Sequence, residues 1–250
     1  KELILYKEIK NFDAIISLPK FKTHGLMTFT GAVKNLFGLA AGLSKVEYHK
    51  QHPLAKDFSN VLVDIYQYVK PVYSIVDAII GMDGAGPAGG SPKHIGKILA
   101  GADGVAIDAI SAVMIGVNPL DIFTTKDAYA RGLGEADLQK IDVVGKLEKI
   151  PDFELPRRSM LIFDRLPLWL AKLAIKLVWM RPKIINDICK KCGKCKHGCP
   201  VSAINIINKN FVIDKKKCIK CLCCHEFCPY NAIEVEKSPL LRLAGMLRKV

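Results

Sequence analysis

The sequence lacks the features of a membrane-spanning, secreted or disulfide-stapled protein. It contains no run of about 18 uncharged apolar residues, which disfavours a spanning helix, and no signal peptide begins at Lys1. It has nine cysteines, an odd number, so they cannot all pair within one chain. These absences favour a reducing compartment, and we expect a cytoplasmic location. The first residue is not Met, so we expect an upstream segment in the natural chain.

Acidic residues are scarce only in the second part of the 250-residue chain. Positions 1–150 carry 17 Lys and Arg against 16 Asp and Glu, whereas positions 151–250 carry 20 against 8. The net charge of +13 therefore lies almost entirely in the second part, as do all nine cysteines. The change of composition predicts an α/β domain over 1–150, a basic apolar connector over 151–186, a cysteine-rich domain over 187–236 and a basic amphipathic tail over 237–250.

The first 150 residues alternate between strand and helix patterns. Short apolar runs predict buried strands at 13–18, 73–80, 95–100 and 141–144. Helical spacing predicts a helix over 54–69, and Asp103 is expected to cap another over 104–116. Thr28–Leu43 is predicted to be helical, and the glycine-rich stretch Gly81–Gly90 is predicted to be a loop. The alternation predicts an α/β fold with a mostly parallel sheet.

The cysteines follow an internal repeat. A shift of 29 residues superimposes four cysteines of the first half on four of the second, and Pro200 on Pro229. Each half reads C-x2-C-x2-C-x3-C-P, the bacterial ferredoxin spacing in which the fourth cysteine binds the other cluster. We therefore expect a small α+β ferredoxin-like domain over 187–236 with two 4Fe–4S clusters. The expected ligands are Cys189, Cys192, Cys195 and Cys228 for the first cluster, and Cys218, Cys221, Cys224 and Cys199 for the second.

Two other interpretations of the cysteines are weaker. Cysteine pairs of this spacing also bind zinc, but a zinc site needs neither a third cysteine in series nor a proline after the fourth. Disulfides are disfavoured by the odd number and by the missing secretion signal. Cys223 is left over, and we interpret it either as a small residue beside the second cluster or as a reactive thiol near Lys220.

Lysines are concentrated around the expected ligands. They are Lys190, Lys191, Lys194, Lys196, Lys215, Lys216, Lys217 and Lys220. Positive charge near a cluster tunes its reduction potential. A basic surface can also dock an acidic redox partner, and the two roles are compatible. No nucleic-acid-binding motif is present, so we expect no nucleic-acid partner.

Four motifs of the first region, in this order, resemble one family. Lys20–His24 (KFKTH), Thr30–Gly38 (TGAVKNLFG), Gly81–Pro87 (GMDGAGP) and Asp103–Asp108 (DGVAID) are similar to the domain-of-unknown-function family numbered 362. The resemblance implies a two-cluster ferredoxin module at the C-terminus, which members of that family often carry behind a similar connector. The family domain normally has a further N-terminal portion, so we expect the domain over 1–150 to be N-terminally incomplete.

A candidate ligand site lies at the strand ends of this first domain. Lys22 and His24 follow a predicted strand end, where α/β proteins usually place ligands, and Lys34 and Asp83 belong to the family motifs. Lysines would supply charge, His24 a proton donor or acceptor, and the glycines of 81–90 close approach of the backbone. The four side chains are candidate catalytic residues for an anionic or carbonyl-bearing small molecule.

Plainer interpretations of these residues stand beside the functional one. A glycine-rich stretch after a strand is often only a turn, and this one lacks G-x-G-x-x-G. Asp108 is interpreted either as part of the site or as a residue that only caps or pairs. His49 and His52 are interpreted as surface histidines, because no third metal ligand is evident.

Two basic apolar segments have two interpretations. Leu166–Met180 carries lysines at 172 and 176 and a wide apolar face, and the tail over 240–250 is similar. One interpretation is peripheral contact with an anionic membrane. The other is packing against the first domain or a partner subunit.

The sequence leaves two hypotheses for function. In the first, the chain is an iron–sulfur oxidoreductase whose clusters exchange electrons with a ligand in the α/β domain. In the second, it is a non-enzymatic electron-transfer subunit whose α/β domain docks a larger redox complex. A third interpretation, purely structural clusters, predicts that no cluster is reducible.

Overall fold

The computed structural model describes residues 2–42, 44–52, 54–86, 89–156, 179–226 and 228–239. The chain divides into two compact units, Lys1–Met160 and Leu161–Val250. Most of the apolar segment at 166–180 and the tail from 240 lie outside the described residues. Their contact with a membrane therefore stays a prediction. No helix among the described residues combines the length and the apolar character needed to cross a membrane.

The first unit is built on a sheet whose central strand is long. The strands are β1 (Ile16–Ser17), β2 (Lys20–His24), β3 (Thr28–Thr30), β4 (Tyr73–Ala85) and β5 (Gly89–Gly101). Strands β1 and β2 both run parallel to β4, while β3 and β5 form antiparallel pairs with β2 and β4. The predicted α/β class with parallel strand pairing is confirmed, and the two hairpins add antiparallel partners to it.

Five α-helices and four 3-10 helices accompany this sheet among the described residues of the first unit. They are α1 (Ala32–Asn35), α2 (Ser44–Gln51), α3 (Ala55–Val69), α4 (Gly104–Met114) and α5 (Phe123–Ala130), with 3-10 helices at Lys7–Asn11, Leu36–Leu39, Pro119–Asp121 and Leu138–Lys140. Helix α3 ends at Lys70, which adopts a left-handed conformation (φ 45°) immediately before Pro71. Helix α4 begins at Asp103, whose side chain accepts the N–H groups of Val105 and Ala106, so the predicted cap is confirmed.

Two apolar clusters form the core of the first unit. Phe21 and Val76 of the sheet pack with Ile107 and Ile110 of α4 in one cluster. The second cluster joins helices α1, α3, α4 and α5 through residues that include Val33, Phe58, Leu62, Val105 and Ala128. The sheet is therefore buried on the face that α4 covers.

Three local predictions are wrong. Thr28–Leu43 is not one helix, because residues 28–30 turn back as β3 and the helical part is split at residue 36. Gly81–Gly90 is not a loop, because β4 continues to Ala85 and β5 starts at Gly89. The segment 141–144 is irregular rather than a strand. In the hairpin, glycine permits close packing: a Cβ on Gly81 would lie 2.8 Å from the backbone oxygen of Phe21.

The second unit is a small duplicated α+β fold. Its strands are β6 (Met180–Ile184), β7 (Ile204–Ile207), β8 (Asn210–Ile213) and β9 (Ile233–Lys237), and its short helices are α6 (Lys194–His197) and α7 (Cys223–Glu226). The shift of 29 residues found in the sequence superimposes α6 on α7 and the start of β7 on that of β9. Strand β6 pairs with β9, and β7 pairs with β8, each antiparallel. Each pair therefore joins a strand of one repeat to a strand of the other.

Candidate functional site

The first predicted set of cysteines surrounds one cavity. Cys189, Cys192, Cys195 and Cys228 line a space of about 330 Å³ that is open to solvent. Cys195 is buried on α6, whereas Cys192 is exposed. Cys228 reaches this cavity from the second repeat, as the ferredoxin spacing requires.

The second predicted set surrounds another cavity. Cys199, Cys218, Cys221 and Cys224 line a space of about 310 Å³. The other lining residues are apolar, namely Pro182, Pro200, Val201, Ala203, Ile204, Ile213, Ile219 and Leu222. The structure therefore groups the eight cysteines in the two sets that the spacing predicts.

The fourth cysteine of each repeat is oriented by the same backbone contact. The N–H of Ala203 donates to Cys199 Sγ at 3.2 Å, and the N–H of Ala232 donates to Cys228 Sγ at 3.3 Å. These pairs are equivalent under the 29-residue repeat. A backbone donor on the sulfur fixes its direction, which suits a metal ligand.

The buried thiols need positive charge before they can ionise. Burial raises the pKa of Cys195, and burial followed by the neighbouring Cys221 and Cys218 raises the pKa of Cys224 to about 12. Bound iron would supply the charge that such a set lacks. Four cysteines around one cavity are the ligand set that a 4Fe–4S cluster requires. Among the described residues, no three His, Cys, Asp or Glu side chains are grouped so as to hold a single metal ion.

Cys223 lines neither cavity. It begins α7, and its Sγ lies 4.0 Å from the carbonyl oxygen of Cys221. This position agrees with a residue beside the second set and not with a ligand.

In the first unit, Lys22 and His24 lie on one face of β2, two residues apart. His24 is nine-tenths buried, and its Nδ1 accepts the N–H groups of Leu26 and Met27, both at 3.2 Å. A ring nitrogen that accepts two donors carries no proton, so the neutral imidazole has its hydrogen on Nε2. His24 is therefore arranged as a donor at Nε2.

Helix α1 positions Lys34. The buried carboxylate of Asp108 caps this helix, with Oδ1 2.6 Å from the N of Ala32 and Oδ2 3.1 Å from the N of Val33. A Cβ on Gly31 would lie 2.0 Å from Asp108 Oδ1, so the glycine of the TGAVKN motif admits the carboxylate. Of the two interpretations of Asp108, the structure favours the cap.

His49 of α2 joins the same region. Its ring stacks on Phe58 with centroids 4.1 Å apart and meets the edge of Phe37 at 5.7 Å. The ammonium of Lys34 lies 5.8 Å from the centroid of the same Phe37 ring. Phe37 thus links the lysine of α1 to the histidine of α2.

The electrostatics of this region are those of a cationic site. Burial, and then the charges of Lys34, His49 and Lys22, lower the pKa of His24 well below its usual value. Burial against the aromatic rings, followed by Lys34, lowers the pKa of His49 to about 4. Both histidines are therefore neutral at neutral pH, and the lysines carry the positive charge.

Asp83 does not join this group. Lys22 pairs with Met82 in the parallel register, and neighbouring residues of a strand face opposite ways, so Asp83 lies on the other face of the sheet. There it is buried, and its Oδ2 accepts the N–H of Glu154 at 3.3 Å. Its contacts are those of a residue that holds the segment at 154 against β4.

His49 is exposed, so its prediction as a surface histidine is confirmed. The sequence does not predict the aromatic contacts of His49. Its stacking partner Phe58 lies on another helix, so no spacing signal in α2 could identify the contact. The only local hint is the apolar face of α3, which predicts that Phe58 points inward.

Comparison with known families follows the same division of the chain. Residues 1–113 match the family described as domain of unknown function DUF362. Residues 181–231 match the 4Fe–4S dicluster domain. The first part of the chain is thus similar to DUF362, and the cysteine-rich part is similar to the 4Fe–4S dicluster domain. Both resemblances predicted from the motifs are confirmed.

Two curated relatives cover parts of the DUF362–dicluster chain. It is 36% identical over 132 residues to a thylakoid-associated protein of Synechocystis, a match that spans 52% of this chain and 41% of the relative. It is 47% identical over 36 residues to a ferredoxin-like protein in the nif region of Sinorhizobium fredii, over 14% of this chain and 56% of the relative. The matches therefore span about half of each relative's length.

Proposed function

We propose that this DUF362–dicluster chain is an electron-transfer protein that binds two 4Fe–4S clusters, one at each set of four cysteines. The observation that carries the proposal is the pair of cavities, each walled by four cysteines drawn from both repeats. A bound cluster would take up and release one electron at a time. The protein's own part is to hold four thiolates around each cavity and to direct two of the eight with backbone N–H donors.

Iron analysis of matched cysteine variants tests the proposal. The full chain, purified without oxygen, is expected to contain about eight iron and eight sulfide per chain and to show reducible cluster signals by electron paramagnetic resonance. Cys192→Ala should lose iron and one of the two signals, whereas Cys223→Ala should keep both. Equal iron in the two variants, or zinc in place of iron, would contradict the assignment.

The site of Lys22, His24, Lys34 and His49 is proposed to bind a small molecule through a carboxylate or phosphate group. Two lysines and the Nε2 donor of a neutral histidine supply positive charge and directed hydrogen bonds for such an oxyanion. The clusters would carry electrons between an external redox protein and this ligand, which is oxidised or reduced in turn. The chain would then be an iron–sulfur oxidoreductase.

Ligand titration tests the site without knowledge of the substrate. Phosphate and acetate are added separately to the intact protein while the ring signals of isotopically labelled histidine are followed by nuclear magnetic resonance. The His24 signal should shift with at least one anion, and Lys34→Gln should weaken the shift. Lys126→Gln, a change of an exposed lysine on α5, is the control. An identical response in both variants would argue against the site.

A second candidate function is a subunit that docks a larger redox complex. It is favoured by a strip of exposed apolar side chains on the sheet, where Ile16, Leu18 and Ile98 are exposed by 58%, 69% and 61% beside the exposed ion pair of Lys20 and Asp77. Ile16 pairs with Tyr73, and Ile98 pairs with Asp77 four residues further along β4, so these side chains share one face. The relative named as thylakoid-associated adds that a similar protein is found at a membrane.

Mutation of this strip separates the two candidates. Ile16→Ser with Ile98→Ser should abolish recovery of the protein with its complex or with anionic vesicles if the strip docks. Its iron content and its response to anions should stay unchanged. Retained association together with an unchanged response to anions would favour the ligand-site hypothesis instead.

A further inference from the structure

The two cysteine loops have the same backbone conformation at equivalent positions. Lys191 and its counterpart Lys220 are both left-handed, at φ 55° and 59°. Gly193 and its counterpart Leu222 are also both left-handed, at φ 78° and 62°. Any functional difference between the loops therefore comes from their side chains.

The side chains around the first loop are cationic. Lys190 and Lys194 line the first cavity, and with Lys191 they are exposed. Between them lies Cys192, itself exposed. The first cavity therefore opens to solvent through a sulfur ligand surrounded by three lysines.

The equivalent positions of the second loop are mainly apolar. Ile219 and Leu222 line the second cavity in place of Lys190 and Gly193, and no described residue of its lining is charged. Cys221, the counterpart of Cys192, is partly buried. A separate group of lysines, 215–217, precedes this loop beside Asp214, which accepts the N–H groups of Lys216 and Lys217. The first loop is likewise preceded by the exposed Asp187, and Lys220 corresponds to Lys191, so the contrast between the loops rests on the residues that line the two cavities.

We infer that an acidic one-electron donor or acceptor protein docks on the first loop, over Cys192, through Lys190, Lys191 and Lys194. Electrons would then enter or leave the chain at the first cysteine set. The second set would exchange electrons with the first set and not directly with the partner. The inference rests on the proposed function, because it requires clusters at both sets. In each transfer the partner loses or gains one electron and the first site gains or loses it, with no bond made or broken.

Electrostatic steering is the physical basis of this assignment. Complementary charge raises association rates by about ten- to a thousandfold, and salt removes the effect. At about 0.1 M salt the screening length is about 10 Å, so the lysines nearest the contact dominate over the rest of the surface. A protein partner whose acidic patch covers Cys192 also gains the shortest exposed route to a sulfur ligand.

Charge reversal at the two groups of lysines tests the inference. One variant combines Lys190→Glu, Lys191→Glu and Lys194→Glu, and the matched control combines Lys215→Glu, Lys216→Glu and Lys217→Glu. Both change the net charge equally. The probe is reduced flavodoxin, an acidic one-electron donor, mixed with the oxidised protein in an anaerobic stopped-flow experiment. Iron and sulfide content and paramagnetic resonance spectra are measured first on each variant.

The expected result is a clear asymmetry. Reversal at 190, 191 and 194 should lower the second-order rate constant by about ten- to a hundredfold at low salt, and reversal at 215–217 by less than about threefold. A viologen radical cation should instead react faster with the first variant. Equal effects of the two reversals, or none, would overturn the docking assignment while the clusters remain.

Where charge reversal lowers the iron content, the neutral set Lys190→Gln, Lys191→Gln and Lys194→Gln replaces it, with a smaller expected loss of rate. Wild-type protein without iron would overturn the proposed function itself.

Discussion

At the scale of single residues, the motif shared with the DUF362 family is explained by one buried contact. Gly31 leaves room for Asp108, whose carboxylate caps α1 and so places Lys34. The glycine of the motif therefore helps to fix the position of Lys34, which belongs to the same motif. Two substitutions in the motif and one at Asp108 test this interpretation.

Gly31→Ala should destabilise the first unit strongly. The new Cβ would meet Asp108 Oδ1 at 2.0 Å and the ring of Phe29 at 2.7 Å, and overpacking of this kind costs about 1–3 kcal/mol. Hydrogen exchange of α1 and α4 in the intact protein measures the loss of protection. Gly38→Ala is the matched control, because no heavy atom lies within 4 Å of its added Cβ. Similar protection in the two variants would show that Asp108 can move away from the new Cβ at little cost in stability.

Asp108 should make stability depend on pH. Burial raises its pKa in the folded state from 3.8 to about 7, in spite of its two backbone donors. The folded state therefore holds this proton more tightly. The associated stabilisation is complete below pH 3.8 and is lost as the pH rises through about 7.

Asp108→Asn should flatten that dependence. Between about pH 5.5 and 8 the wild type should lose about 2 kcal/mol more stability than the variant, at 1.36 kcal/mol for each pKa unit. Guanidinium unfolding followed by circular dichroism at several pH values measures the difference. Asp121→Asn, at an exposed position, should keep the wild-type profile. Parallel profiles for Asp108→Asn and wild type would mean that Asp108 is ionised throughout.

At the scale of secondary-structure elements, α4 connects the two apolar clusters and depends on its cap. Asp103 accepts two N–H groups of its own helix and, through Oδ2, the N–H of Glu135 at 2.7 Å. Asp103→Ala should cost about 2 kcal/mol, since it removes a cap and leaves a distant donor unpaired. Asp137→Ala removes an exposed cap of a short 3-10 helix and should cost less than about 0.5 kcal/mol. Thermal unfolding of both variants measures the contrast.

The same elements show what the sequence could predict. The helix at Ala55–Val69 and the cap at Asp103 depend on local spacing, and both were predicted closely. The hairpin through Gly81–Ala85 was not predicted, because its glycines pack against Phe21 and Thr23 of a strand about sixty residues away. The stacking of His49 on Phe58 depends on how two helices meet. Local signals thus place elements, while close packing and the composition of the ligand site come from contacts between them.

The cysteine repeat is the exception among long-range features. Its eight positions predict which residues meet across 39 positions of chain, from Cys189 to Cys228, because the spacing itself expresses the geometry of two exchanged sites. The interlocked strand pairs β6–β9 and β7–β8 follow the same exchange. The cysteine spacing that two exchanged clusters require thus allows the sequence to predict a tertiary arrangement.

At the scale of the whole molecule, the two units should respond differently to the loss of iron. Among the residues that the structure describes, the core of the second unit consists of Cys195, Cys224 and three apolar residues, with further cysteines packed around it. Both core clusters of the first unit contain no cysteine among the described residues. We therefore expect folding and iron binding to be coupled in the second unit and not in the first.

Removal of iron with a chelator under anaerobic conditions should therefore unfold one unit and spare the other. Amide hydrogen exchange should become fast in β6–β9 while α3 and α4 keep their protection. Cys223→Ala, which removes a cysteine outside both cavities, should leave the exchange of the iron-bound protein unchanged. Retained protection of β6–β9 without iron would mean that the duplicated strands and their apolar side chains suffice to fold the unit. The cysteine sets would then be preformed sites into which clusters are inserted, and iron content rather than folding would limit activity.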